Sequence, residues 1–156
     1  MTHYIHTQKH LISIITDDVN NKGPIFNQDT LLPIMIMENV KSGYFVRQVL
    51  ANDPDLTAKL EFRIDYNASE GRNENGILVP NLNISEIFSI EKDKGDIEVI
   101  GNLDREITEQ FKLMIVVEDV NADLEASQFR PQIQRSSLFI MVQDVNDNQP
   151  AFKGMN

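Results

Sequence analysis

Cysteine and tryptophan are both missing from the sequence, and glycine is scarce, with seven in 156 residues. Without cysteine there is neither a disulfide framework nor a thiolate site, and cysteine gives no clue to the compartment. The three histidines, His3, His6 and His10, all fall in the first ten residues. They read as solvated polar positions. The rest of the chain therefore has no Ser-His or Cys-His nucleophile pair and lacks the usual ligands of zinc. Positive charge is also short: 14 Lys and Arg stand against 24 Asp and Glu, a net charge of −10. That balance disfavours nucleic acid and anionic membrane as partners and leaves carboxylates in excess. No apolar run approaches the roughly 20 residues needed to span a bilayer. The start of the chain also lacks the basic segment and apolar core of a signal peptide.

What is present is a succession of short apolar runs. Hydrophobic residues make up 41% of the chain, an ordinary proportion for a domain with its own core. Leu60-Glu61-Phe62-Arg63-Ile64-Asp65-Tyr66 alternates apolar and polar as a half-buried strand does. Phe111, Leu113, Ile115 and Val117 share one face of another strand. The pattern predicts seven strands, at about 31–38, 44–51, 60–66, 88–90, 97–100, 111–117 and 138–143. A turn at 92–96 joins the fourth and fifth. No helix of normal length is expected. Many short strands separated by turn signals define an all-β chain, and a seven-stranded Greek-key β-sandwich is the predicted fold. The polar stretches 67–83 and 121–134 are expected as long surface loops. Asn67-Ala68-Ser69 and Asn83-Ile84-Ser85 are N-x-S sequons, acceptable to glycans in a secreted chain.

The most informative stretch lies near the end: Asp144-Val145-Asn146-Asp147-Asn148-Gln149-Pro150-Ala151-Phe152. Its carboxylates and side-chain amides are hard oxygen donors of the kind Ca²⁺ takes in sets of six to eight. An Asp/Asn run before proline is, on its own, equally a turn. An EF-hand loop starting at Asp144 would need Gly at position 149 and Glu at position 155; the chain has Gln149 and Met155. A weaker copy occurs upstream, Asp18-Val19-Asn20-Asn21-Lys22-Gly23-Pro24-Ile25-Phe26, so the segment is an internal repeat. Paired carboxylates can hydrolyse glycosides. Acids at the ends of strands, with no Trp and no aromatic cleft, do not suit that chemistry, and no enzyme is expected.

Asp144 to Phe152 resembles the D-x-N-D-N-x-P-x-F linker that closes an extracellular cadherin repeat. Glu38-Asn39 stands where that family has its first-strand Glu. Ala51-Asn52-Asp53-Pro54-Asp55 resembles its A-x-D-x-D, and Leu103-Asp104-Arg105-Glu106 its L-D-R-E. The stretch from Gly43 to Asp53 fits the family's spacer without a gap, so the resemblance covers roughly residues 24–152. It implies residues 1–22 as the last strand and linker of a preceding repeat, 23–148 as a complete repeat, and 149–156 as the start of the next. The strand within 1–17, cut off from its own repeat, is expected to be loose or to borrow another edge.

The resemblance also implies Ca²⁺ sites at two poles. At the lower pole, Glu38, Asp104, Glu106 and Asp147 form one site. A neighbouring site shares Glu38 and Glu106 and adds Asp144 and the carbonyl of Val145, with Asn146 and Asn148 as oxygen donors of the same linker. At the upper pole, Asp53, Asp55 and Asp119 meet Asn20 and the carbonyl of Lys22. Two departures weaken the upper pole. Leu56-Thr57-Ala58 replaces the family's Gly and Asn, and Asn21 and Lys22 stand where an acid and an Asn are expected. The implied function is a calcium-dependent cell-adhesion module, in which ions between consecutive repeats stiffen an ectodomain. Its expected partners are adjacent repeats and another cadherin molecule, outside the cell, on a membrane-anchored parent. The absence of Trp points away from the adhesive tip of a classical cadherin and toward a mid-array repeat of the protocadherin or long non-classical kind. The alternative is a sandwich whose long loops bind a protein or glycan, with Ca²⁺ only structural.

Overall fold

Strand-length apolar runs cannot bury a face alone, and here they fold onto two sheets. The computed structural model describes residues 20–122 and 132–145. In chain order its strands are β1 (Ile25–Phe26), β2 (Ile34–Met37), β3 (Tyr44–Gln48), β4 (Ala51–Asn52), β5 (Leu60–Ile64), β6 (Glu70–Arg72), β7 (Phe88–Ile90), β8 (Asp96–Val99), β9 (Gln110–Asp119) and β10 (Ile133–Gln143). One sheet runs β2-β10-β9-β5, with β6 also paired to β9; the second runs β3-β8-β7; β1 pairs with β4. All pairings are antiparallel except β2 with β10, which is parallel.

The centre is the long β9–β10 ladder, in register from Ile133 opposite Glu118 to Met141 opposite Gln110. Side chains alternate faces along a strand, so Phe111, Leu113, Ile115 and Val117 of β9 point inward together with Leu138, Ile140 and Val142 of β10. All seven are buried in one core, with Val46, Val49, Phe88, Ile97 and Val99 from the facing sheet's side. Each such side chain contributes roughly 1.5–3 kcal/mol of burial free energy. The all-β sandwich expected from the alternation is the fold observed.

All seven expected strands are present, with shifted ends and three short additions. The first begins at Ile34, because Gln28–Leu31 forms a 3-10 turn capped by Asn27. The last begins at Ile133 rather than 138, so the stretch 121–134 is not all loop. The polar stretch 67–83 is likewise more ordered than a surface loop. It contains β6 and a bridge from Arg72 to Leu78, and a 3-10 turn at Tyr66–Ala68 leads into it. The Tyr66 hydroxyl donates to the Phe88 carbonyl at 3.0 Å, and burial pushes its phenol above the ordinary value. The strand expected within 1–17 lies outside the described residues.

Arg135 of β10 pairs with Asp65, just after β5, at 2.8 Å. Burial acts to raise the Asp65 pKa. The Arg135 hydrogen bond and charge, with backbone N–H groups of Ala68 and Asn67, outweigh it and hold the carboxyl below its ordinary 3.8. A depressed carboxylate pKa adds stability above the unfolded-state value, and that contribution disappears as pH falls through the folded-state value. Asp65→Asn should therefore lower the unfolding midpoint at neutral pH. The gap from the unsubstituted chain should close as pH falls below 3.8. A gap that stays constant with pH would mean that the ion pair contributes nothing.

Candidate metal centre

The upper pole grows out of the core rather than out of a loop. The inward row of β9 continues by the same two-residue step from Val117 to Asp119, where the apolar series ends in a carboxylate that is only 3% exposed. Its Oδ1 accepts the backbone N–H groups of Lys59 at 2.9 Å and Asn121 at 3.0 Å. Its Oδ2 is buried without a hydrogen-bond partner among the described residues. Asp55 is 6% exposed and accepts the Lys22 N–H at 2.6 Å. Asp53 Oδ1 accepts the Asp55 N–H at 2.9 Å, which sets the tight turn around Pro54. Asn20 is 4% exposed, and among the described residues both its side-chain oxygen and nitrogen lack partners. The Lys22–Asp55 bond thus brings the upstream linker onto the turn after β4.

Buried carboxylate oxygen without a donor is expensive, and proteins resolve it with a charge, a metal or a hydrogen bond. Among the described residues no ion pair engages Asp55 or Asp119. The donor set is all oxygen: Asp119 Oδ2, Asn20 Oδ1 and the Asp55 carboxylate. This is hard-cation chemistry, suited to Ca²⁺ and unsuited to metals that prefer sulfur or imidazole. The residues present therefore fit Ca²⁺. They are not drawn tightly together: among the described residues no three acidic, His or Cys side chains form a group able to hold a metal.

The lower pole is more open. Glu38 follows β2, and its N–H bonds the Gln143 carbonyl at the end of β10 at 2.9 Å. Its Oε2 accepts the Arg105 N–H at 3.1 Å, tying the end of β2 to the 103–106 segment. Asp104 Oδ1 accepts the Glu106 N–H at 2.9 Å. Glu38 is half-buried, whereas Asp104, Glu106 and Asp144 are exposed. Glu38 and the L-D-R-E turn are thus brought together at the end of β10, where Asp144 and Val145 begin the linker. Asn146, Asp147 and Asn148 lie outside the described residues. Arg105 pairs with Glu109 at 3.1 Å, a surface pair of little energetic weight, and not with Glu106. Sequence reasoning missed Gln132, which is 5% exposed beside Asp119. A glutamine in a polar stretch carries no signal of burial.

The fold and this pole together define an all-β sandwich repeat with buried oxygen donors at one end of its core. A family model described as "Cadherin domain" matches residues 32–143, and the chain belongs to that family. Human cadherin-23 is 27% identical over 143 residues, covering 92% of this chain and 4% of the relative. Human protocadherin-23 is 31% identical over 143 residues, covering 90% of this chain and 4% of the relative. Rat protocadherin Fat 2 is 27% identical over 157 residues, covering 97% and 3%. The chain therefore spans about one twenty-fifth of the length of these relatives. Among solved structures, human CDH23 EC21-23 superposes with a TM-score of 0.62 at 26% identity, covering 80% of this chain and 36% of that one. Protocadherin gamma B2 extracellular cadherin domains 3-6 superposes with a TM-score of 0.64 at 25% identity, covering 83% and 27%. Among the described residues no helix is long and apolar enough to cross a membrane.

Proposed function

We propose that this chain is a calcium-dependent cell-adhesion module from the extracellular part of a plasma-membrane protein. Residues 23–148 form the repeat, 1–22 the end of the one before, and 149–156 the start of the one after. The observation that carries this reading is the buried oxygen at the upper end of the core, on Asp119 and Asn20, which has no partner among the described residues. The upper set is Asn20, the Lys22 carbonyl, Asp53, Asp55 and Asp119. The lower set is Glu38, Asp104, Glu106, Asp144, the Val145 carbonyl, Asn146, Asp147 and Asn148. Bound Ca²⁺ supplies the positive charge that lets these oxygens converge. The residues do the rest: at the lower pole, whose linker carries Asp144 and Asp147, like charges on linker and turn repel when it is empty, and the linker is held to the end of the sandwich when it is filled. Repeats joined by such linkers behave as a rod, suited to contact with another cadherin on a facing cell. Asn67 and Asn83 are both exposed, so glycans there are compatible with this location.

Extracellular Ca²⁺ modules bind at about 10⁻⁴–10⁻³ M. At tenfold saturation one site adds about 1.4 kcal/mol to stability by mass action. Thermal unfolding should therefore shift upward in millimolar Ca²⁺, stay put in equal Mg²⁺, and return on chelation. Asp119→Asn should remove much of the shift while leaving the chelated protein folded. A melting temperature indifferent to Ca²⁺ would overturn the reading.

A further inference from the structure

We infer that Gln132 belongs to the cation-binding pole, as the residue that completes its oxygen set from the β10 side. The inference rests on the calcium reading of that pole.

The register of the central ladder places it there. Ile133 stands opposite Glu118, and one step further Gln132 stands opposite Asp119; the Asp119 N–H donates to the Gln132 carbonyl at 2.9 Å. Directly opposed residues of an antiparallel pair point to the same face. The face is the inner one, since Gln134 opposes Val117, Ser136 opposes Ile115 and Leu138 opposes Leu113. Gln134, one step along that face, reaches the upstream segment: its Oε1 accepts the Phe26 N–H at 2.6 Å. Gln132, one step the other way, stands at the Asp119 end of that same face.

The two opposed side chains are both nine-tenths buried or more, and neither bonds to the other. Among the described residues Gln132 Oε1 and Nε2 have no partner, Asp119 Oδ2 has none, and Asn20 Oδ1 and Nδ2 have none. A buried primary amide lacking every hydrogen bond is strongly disfavoured. Two opposed side chains on one inner face, each with buried polar atoms that lack a partner among the described residues, point to a third body between them. A carboxylate and two amide oxygens match a hard divalent cation. The amide nitrogens then turn away, toward water or backbone carbonyl, or toward the second carboxylate oxygen of a neighbour.

The test uses the full chain and Ca²⁺ itself, with Mg²⁺ as control. Gln132→Met keeps the length and removes both polar atoms; Gln132→Glu keeps the shape and adds a charge. Two readouts are taken: Ca²⁺ affinity by calorimetry, and thermal unfolding in chelator. For Gln132→Met the expected affinity loss is about tenfold, together with a higher unfolding temperature in chelator, because a partnerless buried amide has gone. Gln132→Glu should do the reverse, binding more tightly and unfolding earlier when chelated. A merely structural glutamine would change the chelated stability alone. Affinities in both variants equal to that of the unsubstituted chain would overturn the inference and leave a bridging water as the third body. Asp119→Asn measured alongside separates the two levels. Affinity lost there but not at Gln132 removes this residue only, whereas affinity lost at neither removes the pole itself.

Discussion

Phe111→Ala should lower the stability of the domain by about 3–5 kcal/mol, the usual cost of deleting a buried aromatic side chain. Phe111 is 1% exposed on the inner face of β9, and its ring meets Phe88 of the opposite sheet edge-on, with centroids 4.9 Å apart and planes at 77°. Phe88 is itself fully buried. The pair is therefore a bridge between the two sheets, and edge-to-face geometry adds about 0.5–1.5 kcal/mol beyond area burial. Alanine leaves a hole that β-sheet backbone on either side cannot close, since both strands are pinned in ladders. Against a typical total of about 5–15 kcal/mol, the loss is a large share of what keeps the domain folded. Denaturant unfolding in chelator and in saturating Ca²⁺ is the measurement. The decrement should be equal in the two conditions, because Phe111 lies in the core and not at a pole. A loss below about 1 kcal/mol would mean that the sheets do not share this packing.

The same row of β9 shows how much was legible beforehand. Phe111, Leu113, Ile115 and Val117 announced a strand with one buried face by their two-residue spacing, and continuing the count arrives at Asp119. Its carboxylate was assigned to a cation by resemblance, but its position at the polar end of the interior follows from pleat geometry alone. Strands with clean alternation were found for the same reason, their apolar side chains having nowhere else to go. Glu70-Gly71-Arg72 was not, because β6 pairs with β9 through its backbone and carries no apolar side chain to betray it. The early half of β10, Ile133-Gln134-Arg135-Ser136-Ser137, was not read as strand, its first two residues falling in the expected loop, because it is mostly polar. Its polar side chains have particular tasks instead: Gln134 holds β1, and Arg135 holds Asp65. Composition reports the average environment of a segment, and these residues are exceptions to it.

The poles divide along similar lines. Glu38 lies against the L-D-R-E turn and the upstream linker against Asp55, contacts between residues 67 and 33 positions apart. Such closures depend on topology, and only the resemblance supplied that. Gln132 had no motif, so its place beside Asp119 emerged from the ladder register.

Gly95→Ala should cost about 2–4 kcal/mol, because two separate penalties coincide at the turn between β7 and β8. The first is conformational. Gly95 has φ of +77°, a left-handed geometry that costs a residue with a Cβ roughly 1–2 kcal/mol. The second is steric. A Cβ built there would lie 2.2 Å from the Val49 carbonyl oxygen, a backbone atom that no rotamer change can move aside. The approach is close because the turn is stitched to the strand beside it: Val49 donates its N–H to the Gly95 carbonyl at 2.9 Å, and Gly95 donates its own to Glu91 at 2.9 Å. Making room means pushing the turn off Val49, which is fully buried, and loosening β3 from β8 where Gln48 faces Asp96. Gly76 provides the internal control. It has φ of +72°, but a Cβ there would meet nothing within 4 Å. Gly76→Ala should therefore show the conformational penalty alone, about 1–2 kcal/mol. The difference between the two variants in denaturant unfolding measures the price of separating the turn from the strand. Equal losses would show that the turn yields without disturbing β3, and that the close approach of Gly95 to Val49 is not what holds that corner of the sandwich.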